Sequence, residues 1–144
     1  MNREFSIAVG ADIVLVTDEH PAASILLIER RNDPYAGCWA LPGGFVEIDE
    51  DLATGAAREL EEETGISGVE LTQIGAFGRP DRDPRGRVIS VAFSARLPAS
   101  RKGEAKAADD AKEARWFPIN SLPSLAFDHD EIIAKALKSH CSVE

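Results

Sequence analysis

Residues 44–66 read GFVEIDEDLATGAARELEEETGI, and from Asp51 to Thr64 the apolar positions Leu52, Ala53, Ala56, Ala57 and Leu60 recur at helical spacing. At 100° per residue these five fall on one broad arc, the mark of a helix with one buried face. Asp49 or Glu50 is the expected N-cap, and Gly65 supplies the left-handed residue that ends the helix. The last two turns then crowd in four carboxylates, Glu59, Glu61, Glu62 and Glu63. Glu59, Glu62 and Glu63 stand at i, i+3 and i+4 on one face, where each like-charged pair costs roughly 0.2–0.5 kcal/mol. The negative end of the helix dipole lies there too and disfavours each anion by roughly 0.3–1 kcal/mol. A solvated helix would carry its lysines at this end. The reversed order makes sense if a divalent cation neutralises the cluster, and an all-oxygen set suits Mg²⁺ or Mn²⁺ rather than zinc. Gly55, in mid-helix on the same sector, costs about 0.8–1.0 kcal/mol relative to alanine, which points to close approach of a phosphate along that face.

On either side of this helix the period changes. Ser6 to Thr17 and Ser24 to Glu29 are apolar and β-branched, joined by the polar turn Asp18 to Pro21, and read as two strands. Trp39 to Val46 reads as a short extended segment broken at Pro42-Gly43-Gly44. Val69 to Phe77, Val88 to Arg96 and Ala114 to Pro118 read as further strands, and Asp128 to Ser139 as a closing helix with Ile132, Ile133, Ala136 and Leu137 on one face. Pro98 to Ala111, small and charged, is expected to be a mobile loop or a weak helical turn. Strands interleaved with two helices predict an α/β layered domain with a mixed sheet, and 144 residues leave room for one domain, 1–144.

Composition narrows the partners. No segment approaches the roughly 18 uninterrupted apolar residues of a membrane span. Asp12 interrupts the only stretch that would have to be a signal-peptide apolar region, so a cytoplasmic protein is expected. Cys38 and Cys141 lie far apart with no CxxC spacing, which fits free thiols in a reducing compartment. A net charge of −9 argues against nucleic acid and acidic membranes as partners. A phosphate substrate then needs metal ions or concentrated arginines. Gly78 to Arg87 provides the latter, with four arginines at 79, 82, 85 and 87.

The spacing of the fixed positions is specific. Gly44, five residues, Glu50, seven residues, Arg58-Glu59-Leu60, one residue, Glu62-Glu63, one residue and Gly65-Ile66 resemble the Nudix signature at every fixed position. The resemblance implies a Nudix-type α/β/α sandwich with a mixed β-sheet and a catalytic loop-helix-loop, in a Mg²⁺-dependent hydrolase acting on a nucleoside diphosphate linked to another moiety. It implies that Glu62 and Glu63 are metal ligands, that Glu59 is a ligand or the base that activates water, and that Gly44 offers its backbone to the metal site. Glu50 and Arg58 would brace the loop against the helix. An acid from a later loop often assists in this family; Asp109, Asp110 and Glu113 are the candidates here, with Asp110 favoured. Many relatives form dimers, and a homodimer is the expected assembly.

Pro80 lies fifteen residues after Gly65, where ADP-ribose pyrophosphatases of this family carry a proline. The resemblance therefore favours ADP-ribose, cleaved to AMP and ribose 5-phosphate, with Arg79, Pro80, Arg85, Arg87 and Gly55 expected to contact substrate. Phe45, Phe77 and Trp116 are the candidates to grip the base, whereas Trp39 and Phe93 are expected in the core. A nucleoside triphosphate pyrophosphohydrolase, including one for oxidised purines, shares every catalytic residue and stays open. A non-catalytic ADP-ribose sensor would be expected to bring a winged-helix extension and a degraded box.

Overall fold

Strand β1 (Ala8–Thr17) is apolar on both faces, as a strand covered on two sides must be: Ile13 and Leu15 pack toward one helix, Val14 and Val16 toward the other. The computed structural model describes residues 6–18, 23–108 and 111–141, with side chains up to residue 138. The turn at Asp18 to Pro21 therefore lies largely outside the described residues.

Among these residues the elements are β1, β2 (Ser24–Arg30), β3 (Trp39–Ala40), β4 (Gly43–Phe45), α1 (Leu52–Thr64), β5 (Thr72–Phe77), β6 (Val88–Leu97), β7 (Ala111–Pro118) and α2 (His129–Cys141). A 3₁₀ helix, Ala99–Glu104, stands where a loop or weak turn was expected. The strands form one mixed sheet in the order β3-β2-β1-β6-β5, with β4 pairing β1 and β7 pairing β2. The β1–β6 pair is parallel, running from Ala8↔Val88 to Thr17↔Leu97, and the other pairs are antiparallel.

Helix α1 buries Ala56 and Leu60 against Ile13, Leu15, Leu26, Phe93 and Leu97 on one face of the sheet. Helix α2 buries Ile132, Ile133 and Ala136 against Val14, Val16, Ile25 and Leu27 on the other. This is the α/β/α sandwich that the alternating periods predict. Phe93 is buried in the first core and Trp39 is partly buried against the second, as expected of both.

The start of α1 corrects one expectation. Asp51, not Asp49 or Glu50, caps the helix, accepting from Leu52 N–H at 2.8 Å. Glu50 is unavailable because its carboxylate is drawn to Arg58. At the other end Gly65 adopts φ 78° as predicted, and its N–H donates to Glu61 O. Two more of the last carbonyls find partners downstream: Lys106 N–H donates to Thr64 O and Ala108 N–H to Glu63 O.

Candidate active site

The loop between β3 and α1 is placed by glycines. A Cβ on Gly43 would stand 2.1 Å from Ala11 O and 2.9 Å from Asp12 Cα, both backbone, so only glycine permits the β4–β1 pairing there. A Cβ on Gly44 would meet the carboxylate of Glu59 at 2.3–2.7 Å. The loop thus lies directly under the acidic face of α1.

Glu59 and Glu63, one turn apart, line a cleft of about 350 Å³ that runs from α1 across the end of the sheet. Burial, and then the neighbouring charge of Glu59, push the Glu63 carboxyl up to about 8, although Gly43 N–H donates to it. Burial also raises Glu59, against the pull of Arg58. Arg58 spreads its guanidinium over the whole box: Nε to Glu50 Oε2 at 2.6 Å, Nη1 to Glu59 Oε1 at 2.9 Å and to Glu62 Oε2 at 3.0 Å. Its Nη2 reaches Phe45 O at 3.1 Å. Hydrogen bonds from Arg58, and then from Glu47 N–H, hold Glu50 down at about 2. Glu50 and Arg58 do brace the loop against the helix.

Glu62 is turned to Arg58, its side chain 46% exposed, and it does not line the cleft. Among the described residues no three acids, histidines or cysteines converge at metal-ligand spacing. The donors fit a hard divalent cation nevertheless. Glu59 and Glu63 are oxygen donors crowded enough that one is held protonated, and Glu62 can join them by leaving Arg58.

Gly55 serves a different neighbour from the one expected. It is buried away from the cleft, and a Cβ there would stand 2.8 Å from Glu50 Oε1 and 3.3 Å from Val46 Cγ1. The close approach is that of the bracing carboxylate and not of a phosphate.

The arginine loop, residues 78–87, divides. Arg79 is exposed, bound to Asp81 and Glu131, and Pro80 is exposed beside it; neither lines the cleft. Arg82 is buried in a fork-to-fork pair with Asp128 at 2.7 and 3.0 Å, which pins the loop to the start of α2. Arg85 lines the cleft, gripped by Asp83 through Nε at 3.1 Å and Nη2 at 2.8 Å. Burial pushes Asp83 up, and its hydrogen bonds with Arg85 outweigh this and hold it low. Arg87 donates to Gly78 O and lines a neighbouring hollow instead. Asp109 and Asp110 lie outside the described residues, and Glu113 is paired with Arg115 at 2.6 Å.

The opposite wall carries residues that sequence reasoning missed. Arg30 lines the cleft with no carboxylate within 4.0 Å among the described residues, and burial, then Arg85, depress its pKa. Its Nε is spent on Pro34 O at 2.7 Å. Asp12 lies on the floor, accepting from Ser90 Oγ at 2.5 Å, with His129 Nε2 3.6 Å away. His129 accepts from Leu41 N–H at 3.0 Å on Nδ1, and burial lowers its pKa. It is therefore a neutral imidazole with its proton on Nε2, facing Asp12. Phe127, at φ 53°, touches Tyr35, His129, Arg30 and Arg85. Two signals were present: an acid in the middle of an otherwise apolar strand, and the doublet Arg30-Arg31 where a strand meets a loop. Of the aromatic candidates only Phe45 reaches the cleft. Trp116 donates to Lys102 O and packs on the α1 side, and Phe77 packs on the α2 side.

The NUDIX domain matches residues 7–137. An ADP-ribose pyrophosphatase of Methanocaldococcus jannaschii is 48% identical over 126 residues, 88% of this chain and 70% of that protein. The ADPR responsive transcriptional repressor NtrR of Acinetobacter baylyi is 33% identical over 129 residues, 87% of this chain, which spans about half (51%) of the repressor's length. Among solved structures, a MutT/nudix family protein from Enterococcus faecalis superposes with a TM-score of 0.86 at 33% identity, covering 99% of this chain and 65% of that one. The NUDIX domain of Shewanella oneidensis NrtR, complexed with ADP ribose, gives 0.83 at 28% identity, covering 94% and 90%. A glycine loop laid under paired helix glutamates, braced by Glu50 and Arg58, and a domain match over nearly the whole length place this chain in the NUDIX family of pyrophosphohydrolases.

Proposed function

We propose that this enzyme hydrolyses the diphosphate of ADP-ribose to AMP and ribose 5-phosphate, with Mg²⁺ or Mn²⁺ held by Glu59, Glu63 and Glu62. The carrying observation is the facing of two crowded carboxylates, Glu59 and Glu63, by the unpaired Arg30 across one cleft. Carboxylates alone would repel a diphosphate, and an arginine without a carboxylate partner is free to receive one. When bound, the divalent ion offsets the charge of the diphosphate and of the departing phosphate.

The protein's own residues do the remainder. Arg58 fixes Glu59 by one oxygen, so its other oxygen points in a set direction and can accept a proton from the attacking water. The water oxygen bonds to one phosphorus as the bridging P–O bond breaks, and the two halves leave as monophosphates. Arg30, in a partly buried wall, orients the phosphate oxygens. The choice of ADP-ribose is supported by the 48% identical pyrophosphatase and by the ADP ribose complex of a similar fold. A role as an ADP-ribose-responsive regulator is the second reading, favoured by the similarity to NtrR.

Product analysis over a panel of ADP-ribose, NADH, dinucleoside polyphosphates and nucleoside triphosphates, with Mg²⁺, tests the reading. AMP and ribose 5-phosphate from ADP-ribose at the highest kcat/KM are expected. Pyrophosphate released from a triphosphate at a higher value refutes the substrate, and binding of ADP-ribose without any turnover favours the regulator.

A further inference from the structure

The acidic cleft has a neighbour. A shallower hollow of about 360 Å³ lies against it, and the two share Phe45, Arg85 and Val88 as a common wall. The rest of the hollow is Ser6, Ile7, Ala8, Gly86 and Arg87, with no carboxylate among them. Its chemistry is thus the reverse of the cleft's: apolar and cationic where the cleft is acidic.

Phe45 is 44% exposed, and the adjoining Ile7 is 55% exposed. An exposed ring beside an exposed aliphatic side chain, rimmed by guanidinium groups, is a surface that water solvates poorly and a flat π system covers well. Arg85 completes it. Its guanidinium lies 5.2 Å from the Phe45 ring centroid, and its Nε and Nη2 edge is engaged by Asp83, so what it offers a ligand is chiefly its planar face. Phe127 is the rival platform, but Tyr35 at 4.8 Å, His129 at 5.4 Å and Arg30 at 5.1 Å already surround it. Phe45 immediately follows Gly44, against which the Glu59 carboxylate lies, so a ligand on this ring is one residue from the acidic centre.

We propose that the nucleobase of the substrate stacks in this second hollow, on Phe45 with Arg85 as the adjoining plate, while the diphosphate lies across the shared wall in the acidic cleft. The proposal rests on the nucleotide reading above and adds the place and the residues that read the base. Stacking selects a planar ring without demanding one base, since every base has a π face.

The test is equilibrium binding of AMP and of ribose 5-phosphate to the intact chain, in EDTA so that no turnover intervenes. The native protein is expected to bind AMP more tightly than ribose 5-phosphate. Phe45→Ala and Phe45→Leu lose about ten-fold or more in AMP affinity, Phe45→Tyr restores it, and ribose 5-phosphate binding is unchanged in all three. An AMP affinity that survives Phe45→Ala, a native protein with no preference for AMP, or a preference removed by Phe127→Ala instead, overturns the proposal. If a triphosphate proves to be the substrate, the Phe45 effect on AMP still stands, so the base site and the ADP-ribose assignment fail separately.

Discussion

Glu63 holds its proton in the folded protein up to about pH 8, whereas an unfolded glutamate releases it near 4.5. Below about 4.5 both states are protonated and the native environment costs little. As pH rises from there the unfolded chain ionises first, so metal-free stability falls progressively until about pH 8 and then levels. Glu63→Gln has no proton to lose. Melted in EDTA, it is expected to exceed the native protein by a margin that widens from pH 5 to pH 8; a margin constant across that range contradicts the burial argument. Gly55 gives a second prediction at this scale. Alanine there adds about 0.8–1.0 kcal/mol of helix propensity, but its Cβ displaces Glu50 from Arg58. Gly55→Ala is expected to melt close to the native protein while kcat/KM falls about ten-fold, as Arg58 shifts onto the glutamates it now only steadies. Full activity would show that the brace is dispensable.

At the scale of elements, α1 was legible almost to the residue, because its apolar period and Gly65 are both local signals. Its cap was not. Asp49, Glu50 and Asp51 are chemically alike in sequence, and the choice among them is settled by Arg58, eight residues past Glu50. The arginine loop was legible as cationic but not as to which arginine does what, since Arg82 is spent on Asp128, 46 residues away. That pair has side chains only 3% exposed and ties the loop to α2. Burial lowers the Arg82 pKa and the pairing with Asp128 more than restores it. Removing one partner leaves the other charge buried, so Arg82→Leu is expected to cost about 3–5 kcal/mol in urea unfolding. Asp128→Asn with Arg82→Leu should recover most of that loss, and a single-variant cost below about 1 kcal/mol would contradict the role assigned to the pair.

Over the whole molecule, the box was readable and the wall facing it was not. Gly44, Glu50, Arg58 and the glutamates lie within 20 consecutive residues, so their spacing is itself the signal. Asp12, Arg30, Phe127 and His129 come from three distant parts of the chain, and only the sheet brings them to one cleft. His129 receives the Leu41 N–H across 88 residues, a link for which no local pattern exists. The sandwich holds these two walls apart, with one acidic and crowded. Because a divalent cation relieves that crowding only in the folded state, millimolar Mg²⁺ is expected to raise the melting temperature of the native protein and not that of Glu59→Gln/Glu63→Gln. An equal rise in both would place the ion elsewhere. The most direct measurement is the turnover of ADP-ribose by Glu63→Gln beside the native protein, at saturating Mg²⁺, with each shown folded by its melting curve. A fall of at least about 100-fold in a folded variant, with AMP and ribose 5-phosphate as the native products, is the predicted result. Near-native turnover by Glu63→Gln would contradict the assignment of the acidic cleft as the centre of the reaction.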